Sequence, residues 1–440
     1  MTTFLKKSFG LLFLSLFSLG TAFCQTEKSK SLLSFEDAVS LALEYNLNIK
    51  TFRNNTKIAD NNEAIGNAGF YPKVDASGSF NYQKGTVQNP NFGKLENESM
   101  STSTGINLTY TLFDGLSNVN TYRKLKNEKD LASVTERFDI ENVLTQLASA
   151  YYQLYTAASN FDIAKEGLKI SQERVARAEA RFEFGNDTKV AVLQAQVDLS
   201  NDSLTLLDAK RQYDELKHNL NIFLGRSATV DFEISMEIPG FKKLERLSLR
   251  EQTLAENAQY LQSLRQLKIS KLDRKIINST KMPRLDFNTG YNWNQVADSF
   301  DVEFDDPSGN YSGGLTLSYN IFDGNQQRIR RKNARIQVMN DELQVANTLL
   351  QIERDLENAW TVYQNNLYKL KVQRNNLAVT EINFEQVKER YNLGQLTATD
   401  FREAQLNLLK ARSNLVTAQS EAKLAEVELL RLSGQLVKVQ

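Results

Sequence analysis

Four acidic side chains, Asp301, Glu303, Asp305 and Asp306, stand between Asp298 and Asn310 with the spacing that opens a calcium-binding loop. Carboxylates at that spacing suit a hard divalent cation. The turn glycine is missing at the sixth position, however, and the twelfth, where a bidentate acid belongs, is Ser312. The stretch reads as a solvated loop. His218 is the single histidine and sits alone on a helical stretch, so neither a histidine acid–base pair nor a zinc site can be assembled from it. No catalytic, cofactor or metal residue is predicted. The remaining ionisable pair of interest is Asp400 and Glu403, three apart and therefore on one helix face. With Thr397, Asp400 also forms the pattern of a helix capping box.

These residues lie beside one of two matching helix breaks. Arg181-Phe182-Glu183-Phe184-Gly185-Asn186-Asp187-Thr188 and Arg390-Tyr391-Asn392-Leu393-Gly394-Gln395-Leu396-Thr397 each place a glycine where a helix ends and a threonine where the next begins. The two breaks are 209 residues apart, as are Phe113-Asp114-Gly115 and Phe322-Asp323-Gly324. Ala195-Gln196 recurs at the same offset as Ala404-Gln405. The chain is an internal duplication, and duplication constrains the architecture before any single motif does.

Between Phe-Asp-Gly and the break, each copy has a long run without proline. Ile140, Leu147, Leu154, Phe161, Leu168, Val175 and Phe182 fall seven apart. So do Leu349, Leu356, Tyr363, Leu370, Leu377, Phe384 and Tyr391. A sustained seven-residue repeat predicts coiled-coil packing, and each run is ~100 Å of helix at about 1.5 Å per residue. Ahead of each Phe-Asp-Gly lie two alternating stretches. Val74–Gln83 and Ile106–Phe113 predict one strand pair, and Leu285–Asn294 and Leu315–Ile321 the other, each with an apolar and a polar face. A polar loop is expected over Lys84–Thr104, and leading helices over Ser34–Gly66 and Ser248–Asn278.

Composition narrows the class. The 53 basic and 53 acidic residues cancel, so no broad basic field argues for nucleic acid or for anionic lipid as a partner. Lys6 and Lys7 precede the apolar run from Leu11 to Leu19, predicting a signal peptide over residues 1–24, and beyond it no stretch is apolar enough for a spanning helix. Cys24 either leaves with the signal or serves as a lipid acceptor. The expected divisions are a first repeat over 25–226, a linker over 227–247 holding Pro239-Gly240, and a second repeat over 248–440. Four strands of this kind match outer-membrane strands in length, but they cannot close a barrel, and an open edge in lipid strands backbone polar groups. Two copies give eight strands and three give twelve. The Asn, Ser and Thr of the polar faces suit a water-filled lumen, which favours a trimer.

The doubled order of strand, strand, Phe-Asp-Gly, long helix, glycine break and helix resembles the TolC outer-membrane efflux proteins over about Leu33–Leu436. The resemblance implies a homotrimeric twelve-stranded β-barrel in outer-membrane lipid, continued by a long α-helical barrel across the periplasm. It implies an exporter of small toxic molecules or proteins, working with a periplasmic adaptor and an inner-membrane transporter, and no enzyme activity. By the same resemblance, Gly185, Asn186, Asp187, Thr188, Gly394, Gln395, Leu396 and Thr397 form adaptor-docking tips, and Tyr391, Asp400 and Glu403 line the entrance gate. The capping reading of Asp400 stands beside that role. One departure is visible: where the family pairs its gate tyrosine with an acidic and a basic residue, this chain has Ala191 and Leu396. A non-conducting periplasmic scaffold accounts for the heptads but not the strands, and a passive porin for the strands but not the helices.

Overall fold

In the computed structural model, which describes residues 32–90, 93–298 and 306–437, the order of elements repeats. The first half runs β1 (Leu32–Leu33), α1 (Phe35–Tyr45), α2 (Leu47–Asn62), β2 (Lys73–Asn89), β3 (Gly93–Phe113), α3 (Ser117–Glu183) and α4 (Lys189–Phe223). The second runs β4 (Glu233–Ile234), α5 (Arg246–Glu256), α6 (Ala258–Ser279), β5 (Arg284–Asp298), β6 (Ser308–Ser318), α7 (Gln326–Asn392) and α8 (Ala398–Leu432). The long helices α3 and α7 have 67 residues each, and α4 and α8 have 35 each. The leader, Cys24, Asp301, Glu303 and Asp305 lie outside the described residues; Asp306 is exposed.

Each Phe-Asp-Gly turns a strand into a helix. Asp114 Oδ2 accepts from the Asn118 N–H at 2.8 Å, and Asp323 Oδ2 from the Gln327 N–H at 2.9 Å, so the carboxylate satisfies a helix-start donor. Gly115 has φ +69°, and a Cβ there would meet the Ser279 carbonyl at 2.6 Å. Only glycine fits that corner.

The sheet is antiparallel with order β2-β3-β5-β6, and its strands exceed the expected ones. Of the loop predicted over Lys84–Thr104, residues 84–89 and 93–104 are instead strand: Asn89 pairs with Gly93 and the ladder continues to Lys73 and Thr109. The Ser and Thr residues there carry no apolar period, yet β3 hydrogen-bonds to β2 and β5 and holds them extended. β6 begins at Ser308, ahead of the predicted Leu315, and ends at Ser318, short of Ile321. The leading helices are each broken once. Asn46 accepts from the Asn48 and Ile49 N–H groups and donates to the Phe223 carbonyl at 2.7 Å. Asn257 accepts from the Tyr260 N–H and donates to the Leu432 carbonyl at 2.9 Å. Each asparagine starts one helix and holds the last residue of another.

The main core is a belt midway along α3. Leu144, Leu147, Tyr151 and Leu154 pack against Ala38, Val39 and Ala42 of α1, with Leu220, Phe232 and Val427. The short parallel pair β1–β4 closes it, and the Tyr151 hydroxyl donates to the Leu33 carbonyl at 3.1 Å. The segment between the halves is tied to the helices as well: Lys423 Nζ donates to the Gly240 carbonyl at 3.0 Å, and the Lys242 N–H to Glu426 at 3.1 Å. The heptad positions are buried or half-buried except Phe182, next to the break.

Candidate channel entrance

Both breaks end their helices alike. Gly185 and Gly394 adopt φ +71° and +75°. Beyond them the Asn186 N–H reaches back to the Arg181 carbonyl at 2.8 Å, and Gln395 to Arg390 at 2.9 Å. Thr188 Oγ1 accepts from the Ala191 N–H, and Thr397 Oγ1 from that of Asp400, restarting the chain as a helix. Asp187 accepts from the Thr188 N–H at 2.8 Å. At equivalent positions each tip leaves a large apolar side chain in solvent, Phe184 and Leu393, and the first tip exposes Phe182 as well.

The expected gate residues separate on inspection. Tyr391 is buried, with its ring stacked on Phe401 at 4.8 Å, and belongs to a core with Phe384, Ala404 and Leu408. Arg181 of the other hairpin donates to the Tyr391 carbonyl at 2.9 Å and lies over its ring at 5.1 Å. Asp400 completes the capping box: its Oδ2 accepts from the Thr397 N–H at 3.0 Å and hydroxyl at 2.7 Å. Those bonds hold its carboxyl below the usual carboxylate range. Glu403, also exposed, faces a groove of about 610 Å³ between α4 and α8, which Asp187, Thr188 and Tyr391 also line; Asp400 does not.

A polar joint at this level escapes sequence reasoning. Arg402 on α8 makes two hydrogen bonds to Asp202 on α4, both at 2.7 Å. Asp202 also accepts from the Ser171 hydroxyl on α3. Gln405 donates to the Gly167 carbonyl at 3.1 Å, and Arg174 pairs with Asp198. Ser171, Arg174, Asp202 and Gln405 are buried, so three helices meet around paired charges, with only the Arg174 Nε of this group left without a hydrogen-bond partner. Burial opposes the charge of Arg402, but the hydrogen bonds and charge of Asp202 outweigh it and raise its pKa. The one sequence signal was Ala404-Gln405 repeating Ala195-Gln196. The arginine and aspartates sit among many charges on helices and look like solvated-face residues.

A family model described as Outer membrane efflux protein matches residues 38–226 and 245–435. The chain belongs to the outer membrane efflux protein family. The Outer membrane efflux protein BepC of Brucella suis is 20% identical over 406 residues, covering 92% of this chain and 86% of BepC. Protein CyaE of Bordetella pertussis is 23% identical over 415 residues, covering 92% and 84%. The Campylobacter jejuni CmeC outer membrane channel superposes with a TM-score of 0.77 at 18% identity, covering 91% of this chain and 86% of CmeC.

As an outer membrane efflux protein, the chain is an export channel of the outer membrane whose helices extend into the periplasm, and it is not an enzyme. That membership sets aside the non-conducting scaffold. No helix among the described residues is long and apolar enough to cross a membrane.

Proposed function

We propose that three copies of this efflux protein close head to tail into a twelve-stranded barrel over a helical tunnel. The tips would dock a periplasmic adaptor, and the assembly would export small toxic molecules or proteins received from an inner-membrane transporter. The reading rests on one observation: three layers of the chain are open at matching edges. The sheet ends at β2 and β6. Near the sheet the helices pack in the order α2-α3-α6-α7, and beyond the belt α4-α3-α8-α7. One edge is therefore β2, α2 and α4, and the other β6 and α7. Both edges carry unpartnered apolar rows. Ile329, Ile336, Leu343 and Leu350 lie exposed at seven-residue spacing on α7, and Val190, Leu193, Val197 and Leu204 lie exposed on α4. Different surfaces that complement one another generate a ring when the rotation closes.

Within that assembly we assign Gly185 to Thr188 and Gly394 to Thr397 to docking, and Glu403 with Asp400 to the tunnel mouth. Tyr391 acts from the hairpin core beneath the mouth. With Ala191 and Leu396 in place of the family's gate partners, the Arg402–Asp202 joint is the bond best placed to hold α8 against α4 in the closed entrance. Residues 1–24 serve as the export signal, 25–226 and 248–440 as the two repeats, and 227–247 as their linker. Mass measurement in mild detergent is expected to give three copies, migrating as a heat-modifiable species from the membrane fraction. A stable monomer in lipid would overturn the ring and everything assigned to its mouth.

A further inference from the structure

We propose that the periplasmic lip of the second repeat binds the phosphate of an anionic phospholipid. From Gly324 to Asn340 the chain carries Arg328, Arg330, Arg331, Lys332 and Arg335 and no acidic residue. Among the described residues none of these five forms an ion pair with a carboxylate. The first repeat differs at the corresponding level. Lys124 pairs with Asp273 at 2.8 Å, and Lys129 with Asp60 and Glu63 at 2.5 and 2.8 Å. In the first repeat Arg123 and Lys126 stand beside Glu128 and Asp130, whereas the second repeat offers its five cations no acidic neighbour over the same stretch, which points to a counter-ion from outside the chain.

The surroundings say which kind. A cavity of about 460 Å³ opens between the end of β6 and the first turns of α7, with Lys281, Arg328 and Arg331 among its lining residues. Tyr319, Ile321 and Phe322 share its wall, and Ile321 and Phe322 are 88% and 77% exposed. Asp323 is also in the wall, but it caps the Gln327 N–H at 2.9 Å. One donor of the helix start is thereby already taken, and the site is built from side chains. Arg331 Nε is anchored on the Gln327 carbonyl at 3.2 Å. Guanidinium groups match phosphate oxygens in pairs, and exposed aromatic and aliphatic side chains beside cations mark the boundary between acyl chains and headgroups.

The assignment rests on the sheet crossing the outer membrane, which puts this cavity at the headgroups of the periplasmic leaflet. A neighbouring copy seated on the apolar row of α7 would meet a different face of that helix from the cations. Arg328, Lys332 and Arg335 form one row of α7, and the apolar row through Ile329 and Ile336 lies about 100° around the helix from it.

Native mass spectrometry of the full-length trimer tests this with equimolar phosphatidylglycerol and phosphatidylcholine of matched chains. The wild type should retain phosphatidylglycerol over phosphatidylcholine by roughly tenfold, as a cluster of basic side chains at a lipid surface predicts. Lys281→Gln/Arg328→Gln/Arg331→Gln should bring the two lipids near parity. A control that removes the same charge beyond the belt, Lys169→Gln/Lys388→Gln/Lys410→Gln, should keep the preference. Should the triple variant fail to assemble, Arg328→Gln alone, on an exposed position, should still cut the preference by more than half. No preference in the wild type, retention in every lip variant, or equal loss in the control would each overturn the site. Heat-modifiable migration of the wild type is read separately: if that fails, the membrane reading fails, whereas an inserted trimer indifferent to lipid charge sinks only this proposal.

Discussion

Asp202→Ala is the sharpest test of how the entrance is held. The change removes both hydrogen bonds to Arg402 and the one from Ser171. The Arg402 and Asp202 side chains are 15% and 12% exposed, so a guanidinium is left poorly solvated and without its partner. Removing one member of a buried pair costs about 3–5 kcal/mol, and the residual exposure here lowers the expectation to about 2–3 kcal/mol. If the joint exists only in the closed entrance, that loss shifts the closed–open equilibrium of each chain by roughly 30- to 150-fold. Single-channel recording in planar bilayers should show Asp202→Ala open far more of the time than wild type. The double change Asp202→Leu/Arg402→Met leaves no orphaned charge and should recover much of the lost stability while staying open, because the directional bond is gone. An Asp202→Ala channel with wild-type gating and wild-type thermal stability would refute the reasoning. A double variant less stable than the single one would show that the site tolerates no apolar replacement, and the energetic argument would fall with it.

Two other outcomes follow from the tips and the mouth. Gly185→Val and Gly394→Val meet no atom within 4 Å but impose left-handed φ on a β-branched residue, a strain of about 1–2 kcal/mol at each tip. Export should fall while the trimer stays inserted, and unchanged export of a known substrate would count against docking. Asp400→Asn/Glu403→Gln should lower cation preference in reversal-potential measurements without disturbing assembly. Crowding around a mouth predicts raised carboxyl pKa values, but within the chain the Thr397 cap lowers that of Asp400. A depressed folded value means that the capping contribution is present above the unfolded carboxyl pKa and is lost only as pH falls through the lowered value. Selectivity carried by Asp400 should thus survive mild acid, and Thr397→Ala should make it fade at higher pH. A wild-type channel whose preference fades in mild acid would show that crowding wins.

Periodicity was the legible part of the sequence. The heptads located both 67-residue helices, and the apolar alternation located all four strands, since burial and lipid contact select side chains by position. Boundaries that depend on pairing were not legible. Ser99, Ser101 and Ser103 look like loop, and only hydrogen bonding to two neighbours makes them strand. Asn46 and Asn257 break predicted helices because each has a carbonyl partner more than 170 residues away. At the entrance, the glycines, threonines and the Asp400 cap were readable because capping is local. Arg402, Asp202, Ser171 and Gln405 were not, because a joint among three helices has no linear spacing. Tyr391 was singled out as a gate residue; its burial and its stacking on Phe401 come from the fold of the hairpin and were not readable from spacing.

The two asparagines have a mechanical consequence. Each fastens the end of a 35-residue helix, α4 through Phe223 and α8 through Leu432, to the belt. The helical hairpins thus form one arm fixed at the belt and cross-linked along its length by bonds such as Arg402–Asp202, reaching ~50 Å to the tips at about 1.5 Å of rise per residue. Over that arm, a pivot of only ten degrees at the fixed end sweeps the tip through about 9 Å. Stiffness at the belt therefore governs the aperture, and a loosened Asn46 or Asn257 would be felt as play at the far end, where neither residue makes any contact.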